Sequence, residues 1–296
     1  MISNALRRHA PPILKWGVAH HLLPFAVGAG GRHRYFQGKW RHGVPATLNE
    51  KIQYKIIHDR RRVVKTYSDK LASRDYVLGL MPGLRLPRIL AVFDDERELM
   101  ANLPPGPWVM KGSHGAGMVL IQKPSQPVNP ENVRQHVRDW MRTDYSLGHW
   151  EWQYFRLPKR ILFEEYLGTE NDPPADYKFF TIHQTVRLIT VDRGRFGQHT
   201  RDLFLPDWTH LRSKKGAAQI SAVPPPMPPQ LPAMIEVAQA LARDHDFIRV
   251  DLYVVNGEIY FGELTHSPAA GTVPFEDPAL DLQLGSYWKL PERYGG

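Results

Sequence analysis

The sequence predicts an α+β protein, because helical segments are mixed with strand-like segments and several strands are joined by turns into antiparallel pairs. The chain has 296 residues, of which 42% are hydrophobic and 23% charged, as is ordinary for a globular protein with a sizeable core. It contains no cysteine, which excludes disulfides, thiolate metal sites and cysteine nucleophiles.

Helices and strands follow one another from Leu48 onwards, after 45 residues that proline and glycine break into short pieces. We expect one helix from Leu48, capped by Asn49, and a second that begins at Ser68. The proline-rich run 223–232 cannot form regular structure. Further helices are predicted at 94–102, from about 131 and at 234–244, and strands at 87–93, 108–111, 118–123, 160–166, 176–182, 185–191, 247–255 and 258–264.

The protein carries a formal charge of +8 and has a pI near 9.6, which favours anionic partners such as nucleic acid, acidic lipid or acidic polysaccharide. Much of the excess lies in residues 1–74, which form either a solvated basic surface or a flank that faces an anion. No stretch approaches the roughly 20 apolar residues of a transmembrane helix, and the short apolar run 22–29 lacks a signal-peptide cleavage site.

A lysine leads directly into a glycine-rich turn between two predicted strands, at Lys111 to Gly117. Glycines let backbone N–H groups crowd around an anion, and the lysine adds a point charge. The segment is neither a Walker A loop nor a dinucleotide fingerprint, because a strand follows it and no Gly-Lys-Ser/Thr ends it. An ordinary glycine-rich hairpin turn is the alternative.

Two acids, Asp251 and Glu263, lie on neighbouring strands that are otherwise apolar. Acids in a covered sheet cost free energy unless something compensates them, and magnesium prefers carboxylate oxygens. We therefore expect a metal site there, against the alternative of an edge hairpin with solvent-facing acids. The strand that ends in Glu164-Glu165 suits an adenine and a ribose, and Lys178 suits a phosphate, although a polar turn and a salt-bridged strand residue would look the same.

The order of these signals resembles the ATP-grasp superfamily, and more closely its TupA-like, polysaccharide-associated family. The resemblance covers about residues 45–290. The stretches that carry it are 48–54 (LNEKIQY), 68–70 (SDK), 110–117 (MKGSHGAG), 151–154 (EWQY), 164–166 (EEY), 176–180 (DYKFF) and 249–265.

The resemblance implies an ATP-grasp fold, in which two α+β lobes hold ATP and Mg²⁺ between them. The implied divisions are a basic, helical N-terminal region at 1–66, one lobe at 67–166 and a second at 167–296. It also implies a role for each matching residue. Lys70 and Lys111 contact phosphates under a loop of Gly112, Ser113, His114, Gly115 and Gly117; Glu164, Glu165 and Leu167 meet adenine and ribose; Lys178 and Arg249 face the γ-phosphate or acyl phosphate; Asp251, Glu263 and Thr265 hold magnesium.

The implied reaction is that of an ATP-dependent carboxylate–amine ligase, in which ATP phosphorylates a carboxylate and an amine attacks the acyl phosphate. The family points to cell-surface polysaccharide biosynthesis, with an amino acid joined to an acidic sugar or peptide, in the cytoplasm or at the inner face of the membrane. The partners would be a carboxylate substrate and an amine, with acidic polysaccharide or lipid-linked sugar as carrier and no nucleic acid. Thr265 stands where the wider superfamily usually has Asn, which is a stronger metal ligand.

Two alternatives stay open. An ATP-grasp kinase would phosphorylate a sugar hydroxyl with the same residues. A basic binding protein for glycan or nucleic acid would explain the pI, and aromatic residues alternate with basic ones at 32–41, but no recognised nucleic-acid motif is present.

Two further expectations concern the site itself. For Asp251 and Glu263 to share one face of the sheet, we predict a three-residue turn at 255–257, with Gly257 at positive φ and a bulge, which places Glu263 opposite Arg249. The four cations Lys70, Lys111, Lys178 and Arg249 exceed the charge of magnesium-bound ATP, which predicts a further anion in the same cleft.

Overall fold

A computed structural model describes residues 44–146, 151–170, 172–194 and 197–294, and it confirms the α+β class. Most of the basic N-terminal segment therefore lies outside the described residues. The helices are α1 (Leu48–His58), α2 (Arg62–Ser68), α3 (Ala72–Leu80), α4 (Glu96–Ala101), α5 (Pro130–Arg142), α6 (Leu231–Leu241) and α7 (Pro278–Ser286), with short 3₁₀ helices at Trp152–Tyr154 and Pro268–Gly271. The strands are β1 (Ile89–Phe93), β2 (Trp108–Gly112), β3 (Val119–Gln122), β4 (Ile161–Glu165), β5 (Asp176–Ile182), β6 (Thr185–Arg193), β7 (Thr200–Phe204), β8 (His210–Leu211), β9 (Phe247–Val255) and β10 (Glu258–Thr265).

The first sheet has four antiparallel strands in the order β1-β4-β2-β3. Its core is closed by α4 and α5, whose apolar residues Leu99, Val133 and Val137 pack with Trp108 and Phe163. Helix α5 begins where the sequence predicts, because Pro130 is pre-set for the first turn and the Asn129 side chain accepts hydrogen bonds from two backbone N–H groups. Each such apolar side chain, fully buried, stabilises the lobe by about 1.5–3 kcal/mol.

The second sheet has six strands in the order β10-β9-β5-β6-β7-β8. One face packs against α6 and α3 through residues such as Phe179 and Val250. The other face packs against α1 and α7 through residues such as Phe180, Phe247 and Trp288. Because both faces are covered, β5 and β9 read as nearly continuous apolar runs, and a charged residue within them lies among side chains rather than in water.

The helix starts differ from those predicted near the N-terminus. The cap of α1 is Thr47, in a capping box with Glu50, while Asn49 is buried against α7 and donates to Asp281. Ser68 ends α2 and does not start a helix, since its hydroxyl donates to the carbonyl oxygen of Val64. Helices α2 and α7 and strands β7 and β8 were not among the predicted elements.

The β9–β10 hairpin corrects the predicted register. Val255 pairs with Glu258 across a two-residue turn, and Asn256 and Gly257 have φ of 52° and 80°. The positive φ at Gly257 is confirmed and the three-residue turn is wrong, because Asn-Gly adopts the left-handed pair that suits strand twist. A bulge between Phe261 and Glu263 then shifts the register and pairs Glu263 with Asp251.

None of the helices in the described part of the chain combines the length and apolarity that crossing a bilayer requires.

Candidate functional site

A cleft opens between the two sheets, and its walls come from both. From the first lobe come α3, β2, β3 and the end of β4, and from the second come β5, β6, β9 and β10. Seven of the residues singled out from the sequence line it together: Lys70, Lys111, Gly117, Glu164, Glu165, Leu167 and Glu263.

One wall of the cleft is apolar, and strand alternation explains why. Val109 pairs with Ile121 and Lys111 with Val119, so these four side chains share one face of the β2–β3 hairpin, and all four line the cleft. The alternate residues Trp108 and Met110 turn to the opposite face and are fully buried in the lobe core. The flat aromatic ring of a ligand fits against this apolar wall, and a negatively charged group of the same ligand would then lie near Lys111.

Lys111 is held by Glu164, and Arg74 holds the same carboxylate from the other side. The Lys111 Nζ lies 2.5 Å from one Glu164 oxygen and an Arg74 Nη lies 2.9 Å from the other. Arg74 also donates to the carbonyl oxygen of Pro87. Two cations around one carboxylate leave a local excess of one positive charge, which favours an anion. Arg74 is a site residue that sequence reasoning missed, although it follows Lys70 by four residues, about one helical turn.

Lys70 fastens the glycine-rich loop. Its Nζ donates to the carbonyl oxygen of Gly112 at 3.1 Å and to that of Gly115, and no described carboxylate lies within 4.0 Å. Burial is the main cause that lowers the pKa of Lys70. A phosphate at the cleft would give this ammonium the counter-ion that it lacks.

The loop after Lys111 is anchored by its own side chains. Ser113 is fully buried and donates to the carbonyl oxygen of Pro158, and His114 bonds through Nε2 to the carbonyl oxygen of Trp140 at 2.9 Å. Gly117, with φ of 74°, is the residue that reverses the chain, and it is the loop glycine that lines the cleft. Contacts of Gly112, Ser113, His114 and Gly115 with a ligand stay a prediction.

At the opposite end of the cleft, Asp251 and Glu263 lie side by side as a cross-strand pair. Arg249 grips Asp251 with two hydrogen bonds, of 2.6 and 2.7 Å, and also donates to the Thr265 hydroxyl at 2.9 Å. Lys178 donates to Asp251 at 3.1 Å. Burial acts to raise the pKa of Asp251, but the two cations outweigh it and hold the pKa below its ordinary range.

The network continues across the sheet through acids that the sequence did not single out as site residues. Lys178 contacts Asp176 and lies 3.7 Å from Asp192, which also receives hydrogen bonds from Arg201. Burial acts to raise the pKa of Asp192, but Lys178 and Arg201 lower it to about 2. Asp192 comes opposite Asp176 because of a bulge between Phe180 and Thr181.

This end of the cleft therefore holds three cations, Lys178, Arg201 and Arg249, and four carboxylates, Asp176, Asp192, Asp251 and Glu263. Of the four cations counted from the sequence, Lys178 and Arg249 are neutralised by these acids and do not line the cleft. The number of cations counted from the sequence therefore gives no argument for a second anion in this cleft.

Glu263 is the acid that remains available. It lines the cleft, and its carboxylate makes no hydrogen bond or ion pair within the described part of the chain, whereas Asp251 beside it accepts hydrogen bonds from Arg249 and Lys178. Within the same residues, no three Asp, Glu or His side chains converge to hold a metal on their own. Glu263 and Asp251 fit a divalent cation whose other ligands come from phosphate and water. The Thr265 hydroxyl orients Arg249, so its role as a metal ligand stays a prediction.

Comparison with protein families gives one match. A model described as TupA-like ATPgrasp matches residues 50–289, which contain all the residues of the cleft and of the charge network beside it. Comparison with curated proteins finds no match.

Comparison with solved structures finds similar chains at low identity. D-alanine–D-alanine ligase from Helicobacter pylori matches with a TM-score of 0.45 and 16% identity, over 83% of this chain and 69% of that one. The ADP complex of purK, N5-carboxyaminoimidazole ribonucleotide synthetase, matches with a TM-score of 0.42 and 14% identity, over 70% of this chain and 46% of that one. D-alanine–D-alanine ligase from Bacillus anthracis matches with a TM-score of 0.41 and 14% identity, over 75% and 65%. The chain thus spans less than two thirds of the latter two.

Proposed function

Because the chain belongs to the TupA-like ATP-grasp family, we propose that it is an ATP-dependent ligase that joins a carboxylate to an amine. The observation that carries the proposal is the division of one cleft into three parts: an apolar wall, a cationic middle at Lys70, Lys111 and Arg74, and an acidic end at Glu263. A nucleotide has the same sequence of parts, in its base, its phosphates and its metal. The two lobes that grip it would be 67–166 and 167–296, after the N-terminal region 1–66.

In this arrangement the adenine lies against Val109, Val119 and Ile121, and the end of β4 at Glu165 and Leu167 meets its edge and the ribose. Lys111 exchanges Glu164 for a phosphate oxygen, and Arg74 remains to neutralise Glu164. Phosphoryl transfer needs mostly positioning and charge neutralisation, which these residues supply without a protein nucleophile. Mg²⁺, held by Glu263 and Asp251, would neutralise the charge that develops on the phosphate oxygens.

The reaction has two steps. A carboxylate oxygen of the acid attacks the γ-phosphorus, the bond from this phosphorus to the bridging oxygen breaks, and ADP leaves. The amine nitrogen then attacks the acyl carbon, phosphate leaves with the carbon–oxygen electron pair, and the nitrogen loses a proton. The role of Arg249 toward the transferred group is supported by its Nη1, which makes no hydrogen bond to any described residue while Nε and Nη2 hold Asp251.

We further propose that the acid is part of an acidic sugar or peptide in cell-surface polysaccharide biosynthesis, that the amine is an amino acid, and that the reaction takes place in the cytoplasm where ATP is supplied. The formal charge of +8 supports an anionic carrier. The alternative that Lys111 and its neighbours serve a kinase predicts a phosphorylated sugar and no acyl phosphate.

The test is to trap the acyl phosphate. Purified protein is incubated with ATP, Mg²⁺, a panel of uronic acids and hydroxylamine in place of the amine. We expect ADP release that depends on the carboxylate, together with a hydroxamate. The Lys111→Met variant is the control for contaminating activities. Accumulation of a phosphorylated sugar, with no hydroxamate from any acid, would reject the ligase in favour of the kinase.

A further inference from the structure

Among the residues that the structure describes, Lys215 is a buried lysine with no carboxylate at ion-pair distance. It lies in the segment between β8 and α6 and is 6% exposed. Its Nζ donates to the carbonyl oxygen of Val273 at 2.8 Å and lies 3.8 Å from the centre of the Phe275 ring. No carboxylate in the described part of the chain comes within 4.0 Å of it. A carbonyl and a ring face are neutral partners, so neither of them compensates the charge of the ammonium in its buried position.

The other two fully buried lysines of the described residues are paired. Lys55 lies 2.6 Å from Asp246, and Lys178 lies among three aspartates, one of them at 3.1 Å. Burying an unpaired ammonium costs several kcal/mol, and proteins rarely retain one without a purpose. Lys215 differs from both, because no acid among the described residues lies close enough to offset the free energy cost of its burial.

The surroundings of Lys215 are cationic. Arg201 donates from Nη1 to its backbone oxygen at 3.3 Å. Burial is the main cause that lowers the pKa of Lys215 to about 7; the charges of Arg201 and Arg249 lower it further, and Asp281 opposes them. Lys215 thus lies next to Arg201, which also donates to the cleft-lining Asp192 at 2.7 Å. It does not line the cleft that suits the nucleotide.

We propose that Lys215 binds the carboxylate of the acid substrate, beside Arg201 and outside the nucleotide cleft. This inference rests on the proposed ligase function. It gives a binding position for the second anion, the carboxylate substrate, which the four cations counted from the sequence do not provide. The neutral partners of Lys215 are easily displaced, because hydrogen bonds between two charged groups are about twice as strong as those between neutral groups. The lysine transfers no proton in this role, and its charge stays paired when the carboxylate becomes an acyl phosphate.

The test compares Lys215→Met with Lys51→Met. Methionine keeps the length of the side chain and removes the charge. Lys51 is the matched control, since it also donates to backbone carbonyl oxygens, those of Gly285 at 2.8 Å and of Trp288, and lies on α1. Thermal unfolding is measured for each protein without ligand and with magnesium and a non-hydrolysable ATP analogue. Each of these measurements is then repeated with glucuronate or acetate as the probe in place of chloride.

We expect Lys215→Met to be at least as stable as the natural protein without ligand, because a buried unpaired charge is removed, and to bind the nucleotide with unchanged affinity. We also expect its affinity for the carboxylate probes to fall about tenfold or more, while Lys51→Met responds like the natural protein. A loss of stability on Lys215→Met, or responses to both probes equal to those of the natural protein, would overturn the assignment. Failure of the natural protein to bind the nucleotide would instead reject the ligase proposal, and the titrations without nucleotide would still decide the role of Lys215.

Discussion

Replacing Lys111 by methionine should weaken ATP binding far more than it weakens the fold. The substitution keeps the length of the side chain and removes a charge that lies 2.5 Å from Glu164. A charge-assisted hydrogen bond to phosphate is worth about 1.5–3 kcal/mol, so the dissociation constant for ATP should rise about 10- to 150-fold. Glu164 keeps Arg74 at 2.9 Å, so the free energy of unfolding without ligand should fall by only about 1 kcal/mol.

Thermal or urea unfolding at a fixed ATP concentration separates the two effects. A ligand at 100 times its dissociation constant stabilises a protein by about 2.7 kcal/mol, and a tenfold weaker ligand at the same concentration by about 1.4 kcal/mol. Lys65→Met is the matched control, because Lys65 donates to the carbonyl oxygen of Phe155 and does not line the cleft. A folded Lys111→Met protein that ATP stabilises as strongly as the natural one would refute the phosphate role.

Three further outcomes are expected. Glu263→Gln should be as stable as the natural protein, while its nucleotide binding should no longer depend on magnesium. Asp251→Asn should lower the free energy of unfolding by about 3 kcal/mol, because two buried cations lose their partner. Equal losses of stability for the two variants in urea unfolding would contradict this contrast. Burial raises the pKa of Glu151 to about 7 from 4.5, so the folded protein keeps a proton that the unfolded chain releases, and stability should fall by about 3 kcal/mol as pH rises through that window. Glu151→Gln should flatten this part of the stability profile, and an unchanged slope would show that Glu151 is not the group. Gly285→Ala should cost about 1–3 kcal/mol by calorimetry, since its Cβ would lie 2.0 Å from the backbone oxygen of Ala46; an unchanged melting temperature would mean that α7 packs more loosely against α1 than described.

The predicted elements hold best where a local pattern decides the structure. The β5–β6 hairpin turns at His183-Gln184 as expected, since an apolar run on each side leaves these two polar residues as the turn. Helix α5 begins at Pro130, one residue before its predicted start near 131. Ser68 shows the opposite case, because a serine suits both a helix start and a last turn, and only the packing of α2 against the rest of the lobe chooses between them.

The family, the α+β class and the types of residue in the candidate site follow from the sequence alone: a lysine before a glycine-rich turn, paired acids at the end of β4, and Asp251 and Glu263 on a hairpin. These features depend on the local spacing of residues. Which charges are free depends instead on how the chain folds. Asp251 and Glu263 meet only because a bulge shifts β10 by one residue, and such a shift depends on how the whole sheet packs. Strands β6 and β9 bring Asp192 and Asp251 to Lys178, whereas no carboxylate of the described residues comes within 4.0 Å of Lys215. The Coulomb energy depends on distance in space and on burial, and neither can be read from the sequence.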